Sequence, residues 1–400
     1  GTDLITASAG TSNFRAGVNA GNSIASGGNF NTVVGDEAGT AISTGDLNTG
    51  LGYSAMSAIN TGLSNTVIGA LAGDALTDAD FNVVVGRTAL TADTKGSRTV
   101  AIGFDALQAQ NFTTATDTYN VAVGASAGQN VTTGIKNTLI GAGTGDALTD
   151  ADLNVAVGRD ALTSDTLGSQ SVAIGTNALA NQNFTTATDT FNTAVGPSAG
   201  LSVTTATHNT LIGALAGDAL TTGSSNVAVG YLALSTDDVG QHNVAIGRQA
   251  LENLNIATAA NTYNTAVGSS AGNAVTTGTN NVLLGGLSGD ALTTGSTNVA
   301  VGTSALTTDT LGSRAVAVGE GALATQNFTT ATNNYNVGVG YSAGGAVTTG
   351  TFNTLIGGLA GDALTTGQQN VALGYNALGA EDTGNKSVAV GISALAAQNN

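Results

Sequence analysis

The chain has no cysteine, no tryptophan and one proline (Pro197), and its nine lysines and arginines face 26 acids. Without cysteine it can form neither disulfides nor thiolate metal sites, so its redox compartment stays open. One proline, with no Gly-X-Y period among 58 glycines, excludes collagen and argues against a disordered chain. The net charge of −17 disfavours nucleic acid and anionic membranes as partners and favours solubility. No run of 18 apolar residues occurs, so nothing in this segment reads as inserting into a membrane. His208 and His242 are unmatched between repeats, which leaves no zinc set and no nucleophile–base pair; no enzyme is expected. The start at Gly1, with neither Met nor a signal peptide, reads as a processed product or a piece of something longer.

What the chain does have is a period. Glycine returns every 17 residues from Gly35 to Gly391, with steps of 21 after Gly103, Gly175, Gly247 and Gly319. Three steps of 17 and one of 21 make a unit of 72, and such self-similarity marks a repeat architecture in which each turn contacts its neighbours. With each of these glycines as position zero, position −1 is Val, Ile or Leu, −3 is Val or Thr, and −2 is usually Ala. Position −4 is Asn except at Thr99, Ser171, Ala315 and Ser387. Alternation with period two and β-branched residues on one side predicts a short strand. Residues −1 and −3 then share one face, and −2 and −4 the other. Ala at +3 opens a second short segment and Gly at +10 a second corner, so the sequence predicts two strands and two corners per turn. The fold class expected is all-β: a parallel β-solenoid or β-roll of about 22 rungs, with 17-residue coils and every fourth one 21. Residues 1–12 form a lead-in and 13–400 one continuous repeat domain, with Gly17 closing a degenerate first rung. Each rung offers about three sizeable apolar side chains, at −3, −1 and often +4. At about 1.5–3 kcal/mol apiece these weigh little against roughly 1–2 kcal/mol of backbone entropy per ordered residue. Burial of a second face is therefore expected, with the small −2 Ala column letting neighbouring chains pack closely.

Within the unit of 72 the rungs fall into types: NTAVGxSAG (from Asn264), NTLIGxLAGDAL (from Asn209), NVAVGxxALTxDTxGS (from Asn298) and SVAIGxxALAxQNF (from Ser171). These motifs, with Ala three residues after the glycine, resemble the repeats of the YadA-like head of trimeric autotransporter adhesins over roughly residues 13–400. Similar repeats also occur in segments of bacteriophage tail fibres. The resemblance implies a left-handed roll, association of three chains, and an extracellular place on a cell or virion surface. The function it implies is a structural, adhesive fibre that presents a rigid rod to a surface glycan or protein receptor. The alternatives are a phage tail-fibre shaft, or a filament subunit that stacks head to tail. The rungs here are longer than the family repeat, which enlarges the loop side.

Three groups of residues are candidates for sites. The −4 column (Asn137, Asn154, Asn209, Asn226, Asn281, Asn298, Asn353 and Asn370 among others) reads as a structural amide ladder rather than a ligand surface. Asp74, Asp146, Asp218, Asp290 and Asp362 recur at 72-residue spacing, with Asp78, Asp80, Asp150 and Asp152 beside the first two. Clustered oxygens of this kind could hold Ca²⁺, but the Gly-rich nonapeptide of calcium β-rolls is missing; solvated loop charge and no cofactor are expected. The four-residue insertions place Phe112 and Tyr119, Phe184 and Phe191, Ile256 and Tyr263, and Phe328 and Tyr335 at matched positions. Aromatics on such a ridge suit a partner surface, or they fold back to cap the roll. An ice-binding face would need flat Thr-x-Thr arrays, which these columns lack.

Overall fold

The computed structural model describes residues 9–397, so part of the expected lead-in (1–8) and the last three residues lie outside the described region. The chain is a parallel β-solenoid of about 22 turns, with no helix among the described residues. Its turns fall into two compact units, residues 1–198 and 199–400. In the first, eleven three-residue strands run from Phe14–Ala16 to Thr193–Val195. Each lies parallel to the strand of the next turn and in register, as Val155 to Val172, Ala156 to Ala173 and Val157 to Ile174. The degenerate first rung belongs to this ladder, because Phe14–Ala16 pairs with Thr32–Val34. In the second unit, eleven strands run from Thr210–Ile212 to Val388–Val390 with the same register, Thr210 opposite Val227 and Val371 opposite Val388.

The segment expected as a second strand is mostly a series of turns. Residues at +2 and +4 are left-handed, as at Asp160 (φ 55°) and Leu162 (φ 54°), and such a backbone cannot continue a strand. It is still laddered: Leu162 N donates to Ala178 O at 3.0 Å and Leu234 N to Ala250 O at 3.0 Å, so the turn of one rung rests on the next. Further regular pairing appears only at the second corner, where a 17-residue rung meets the long one that follows: Gly96–Ser97 pairs with Thr116–Asp117 and Gly312–Ser313 with Thr332–Asn333. At position zero the need for glycine is conformational and steric. Gly230 has φ +138°, and a Cβ added to it would stand 2.5 Å from the Gly247 carbonyl oxygen.

The two faces of the strand are reversed from expectation. Ala228, Ala300 and the rest of the −2 column are fully buried, as is the −4 Asn column. The mostly β-branched −3 and −1 residues face outward: Val83 is 37% exposed, Ile140 39% and Val371 37%. The −2 column therefore cannot be a contact between chains. Width explains the reversal. The interior wall opposite the strand is built of +3 Ala and left-handed +4 Leu (Leu162, Leu234, Leu306), and only a small residue fits at −2 in front of it. Where two successive rungs both have Gly at +4, the second carries a larger −2 residue: Leu139, Leu211, Leu283 and Leu355, and Val33 in the first such pair. A Cβ at Gly128 would lie 2.7 Å from Leu139 Cδ1, and one at Gly145 2.9 Å from Leu139 Cδ2, so Leu139 fills the space that both glycines leave.

Candidate functional site

The inward columns are structural ties. Asn226 N donates to Asn209 Oδ1 at 2.9 Å, and Asn226 Nδ2 donates to the Gly240 carbonyl at 2.9 Å. Asn137, Asn154, Asn281, Asn298, Asn353 and Asn370 repeat both bonds, and Asn209 makes the second to Gly223. Each side chain thus joins its own turn to the backbone of the neighbouring ones, satisfying groups that burial would otherwise leave unpaired. A threonine column at +8, not singled out from the sequence, does similar work: Thr276 Oγ1 donates to Thr293 O at 3.2 Å and Thr293 Oγ1 to Thr310 O at 3.0 Å. Its recurrence in 12 of the 21 rungs from Gly35 onward was the available signal.

The insertions split the expected aromatic ridge. Phe112, Phe184 and Phe328 are buried, and with them Ile256, so these side chains are not available as a partner surface. A buried aspartate draws them in. Phe328 N donates to Asp309 Oδ1 at 3.2 Å, Gly312 N to the same oxygen at 3.0 Å, and Gln326 Nε2 to Oδ2 at 2.6 Å. Gln326 Oε1 in turn accepts Asn336 Nδ2 at 2.8 Å. Asp93 with Gln110 and Phe112, and Asp165 with Gln182 and Phe184, repeat the arrangement. In the remaining repeat Leu254 replaces the glutamine, and Asp237 Oδ2 is left without a partner. Burial raises the carboxyls of Asp93, Asp237 and Asp309 above the ordinary aspartate value, and the amide donors around each oppose the rise.

The second aromatic of each insertion is exposed. Tyr119, Phe191, Tyr263 and Tyr335 occupy position −5, a left-handed corner where φ lies between 51° and 53° in all four. They stack along the ladder rather than standing free. Tyr335 lies 5.4 Å from Phe352 and under the Arg314 guanidinium at 5.6 Å, Tyr263 lies 5.3 Å from His242, and Arg98 sits over Tyr119 at 5.9 Å. Position −5 is left-handed along the chain, yet it contains neither glycine nor aspartate and, of asparagines, only Asn280. Those are the residues such a backbone favours. The side chains there answer to something other than backbone comfort.

The recurrent aspartates bond to the protein. Asp146 accepts Thr163 Oγ1 at 2.5 Å and Asp290 accepts Thr307 Oγ1 at 2.5 Å, while Asp80 and Asp152 accept the amides of Leu63 and Ile135. Asp218 and Asp362 each keep one buried oxygen without a partner; Gly379 removes the hydroxyl donor beside Asp362, and Ser235 stands where the threonine would be beside Asp218; burial raises both carboxyls. Among the described residues no three acidic or histidine side chains converge on a common point.

What remains as a functional surface is the outward strip: Thr, Val, Ile and Leu at −3 and −1, bordered by the −5 column on one side and the +1 column on the other. Tyr53, Phe104, Tyr231, Tyr341 and Tyr375 are the exposed aromatics of the +1 border. The chain matches no protein-family model and no curated protein.

Proposed function

We propose that this chain is part of a structural, adhesive extracellular fibre and that copies of it associate through the outward strip of the sheet. The observation that carries this reading is the strip itself. A soluble protein rarely leaves a continuous apolar face uncovered, and such a face ordinarily marks a contact with another molecule. Here β-branched residues recur on it at every turn, about 4.8 Å apart along the ladder. A second copy offers the same repeat at the same spacing. The resemblance to YadA-like heads supplies the number, three chains, the left-handed winding and the cell-surface or virion-surface setting. In this reading the role is mechanical. The rungs give reach and rigidity, and a glycan or protein receptor is met on the outside of the assembly.

Native mass spectrometry tests the association: three copies of the 38.7 kDa chain are expected, and a monomer at micromolar concentration would remove it. Beads carrying the purified chain test the adhesive role. They are expected to attach to cell or matrix surfaces above uncoated controls, and equal attachment would remove it.

A further inference from the structure

Seven of the nine lysines and arginines stand on the two borders of the outward strip, four at −5 and three at +1, with only Asp36 and Glu320 of the 26 acids. The borders therefore differ in charge from the rest of the chain. Within one turn, −5 and +1 are six residues apart across the strand, roughly 20 Å at about 3.3 Å per residue. They cannot touch in a single copy. In several turns their residue types are nevertheless complementary. Arg314 at −5 shares its turn with Glu320 at +1, and neither is in an ion pair within the described residues. Phe81 shares a turn with Arg87, and in the next turn the order inverts, Arg98 with Phe104. Bulk is complementary too: Tyr119 faces Ala125, Phe352 faces Gly358, and Ser225 faces Tyr231. Tyr335 with Tyr341 is an aromatic pair.

We propose that neighbouring copies meet border to border, the −5 corner of one against the +1 corner of the next, parallel and without axial shift. The partner is a second copy of this chain, so the inference rests on the self-association proposed above and specifies its register. The matching excludes the neighbouring registers. Sliding one copy by one turn in one direction sets Arg98 against Arg87, and in the other direction Lys136 against Arg159. Like charges at an interface cost several kcal/mol. In register no two lysines or arginines oppose one another, and only in register does Arg314 meet Glu320. The arrangement is head-to-tail around an axis, since a different border of each copy is used, which is the geometry of a closed ring rather than a twofold dimer. Phe81 against Arg87 and Arg98 against Phe104 then form cation–π contacts between copies. These extend the contacts each chain already has, Arg87 over Phe104 at 4.5 Å and Arg98 over Phe81 at 5.0 Å.

The test is a charge exchange in the full chain, read by sedimentation equilibrium. Arg314→Glu and Glu320→Arg are each expected to weaken association about tenfold or more, and the double variant R314E/E320R to restore it. Both positions are exposed, so circular dichroism should not change. A second readout uses the absence of native cysteine. Ser225→Cys with Tyr231→Cys should oxidise to a covalent ring, whereas Ser225→Cys with Arg248→Cys, one turn out of register, should not. A monomeric wild-type chain would defeat the self-association reading itself. A wild-type oligomer in which the exchange fails to restore binding, or in which only the shifted cysteine pair links, would defeat the register and leave the association standing.

Discussion

Replacing Gln326 with leucine isolates the interaction that holds an insertion down. The substitution is sterically familiar, since Leu254 already occupies the equivalent place and is fully buried. Asp309 is buried and its carboxyl is raised above the value of 3.8 by desolvation, with the Gln326 amide the leading opposing cause. A carboxyl raised on folding favours the fold when protonated. Its contribution is complete below the unfolded pKa and is lost as pH climbs through the folded one. Removing Gln326 raises the folded pKa further and enlarges that loss. A hydrogen bond to a charged group contributes about 1.5–3 kcal/mol, so the Gln326→Leu penalty should be larger by about that amount at pH 7 than at about pH 2.5, where carboxyls are protonated. The apolar gain from leucine does not depend on pH and cancels in the difference. Urea unfolding followed by far-ultraviolet circular dichroism gives the two penalties. Amide exchange at Gly312 and Phe328, both donors to Asp309, gives a local reading. The reverse change, Leu254→Gln beside Asp237, should produce the opposite pH dependence. A Gln326→Leu penalty equal at the two pH values would refute the reasoning.

Gly230→Ala should destabilise by more than the roughly 1–3 kcal/mol of a strained backbone, because the added methyl also meets the Gly247 carbonyl; a melting temperature within a degree of wild type would show that the corner can relax. Leu211→Ala should cost about 2–5 kcal/mol in denaturant unfolding, since Leu211, like Leu139, fills space beside glycines. Ala228→Leu should lower stability by about 1–3 kcal/mol through overpacking and act on the fold before it acts on association. A variant of unchanged stability that fails to associate would mean that the −2 column faces a neighbour after all. Asp362→Asn should raise the melting temperature at pH 7 and have little effect at low pH, since the raised carboxyl loses its stabilising protonated form as pH rises; a lower melting temperature at pH 7 would show that the carboxylate is held by an interaction other than those described.

The rungs, their spacing and their register were legible because identical residues recur at fixed intervals, and a ladder is what stacks identical residues. Which face pointed inward was not. Alternation separates Val227 and Val229 from Asn226 and Ala228 without saying which pair is inside, and hydrophobicity favours the wrong one. The missing signal was volume compensation between columns. Leucine at Leu139, Leu211, Leu283 and Leu355 coincides with glycine at Gly145, Gly217, Gly289 and Gly361, and only residues sharing an interior need to compensate one another. The burial of Phe184 and Phe328 was hidden for a related reason. The aspartates that hold them, Asp165 and Asp309, lie 19 residues earlier in the preceding turn and read there as ordinary loop charge. Asp165 with Gln182, and Asp309 with Gln326, recur one rung apart, and that pairing would have shown the connection.

A cysteine scan of one strand tests the central claim, that β-branched residues face outward and meet another copy. Val227→Cys, Ala228→Cys and Val229→Cys are made singly in a chain with no cysteine of its own, oxidised, and separated under denaturing conditions. Covalent dimers are expected from positions 227 and 229 and none from the buried position 228. Monomers from all three, or cross-linking at 228 alone, would contradict it.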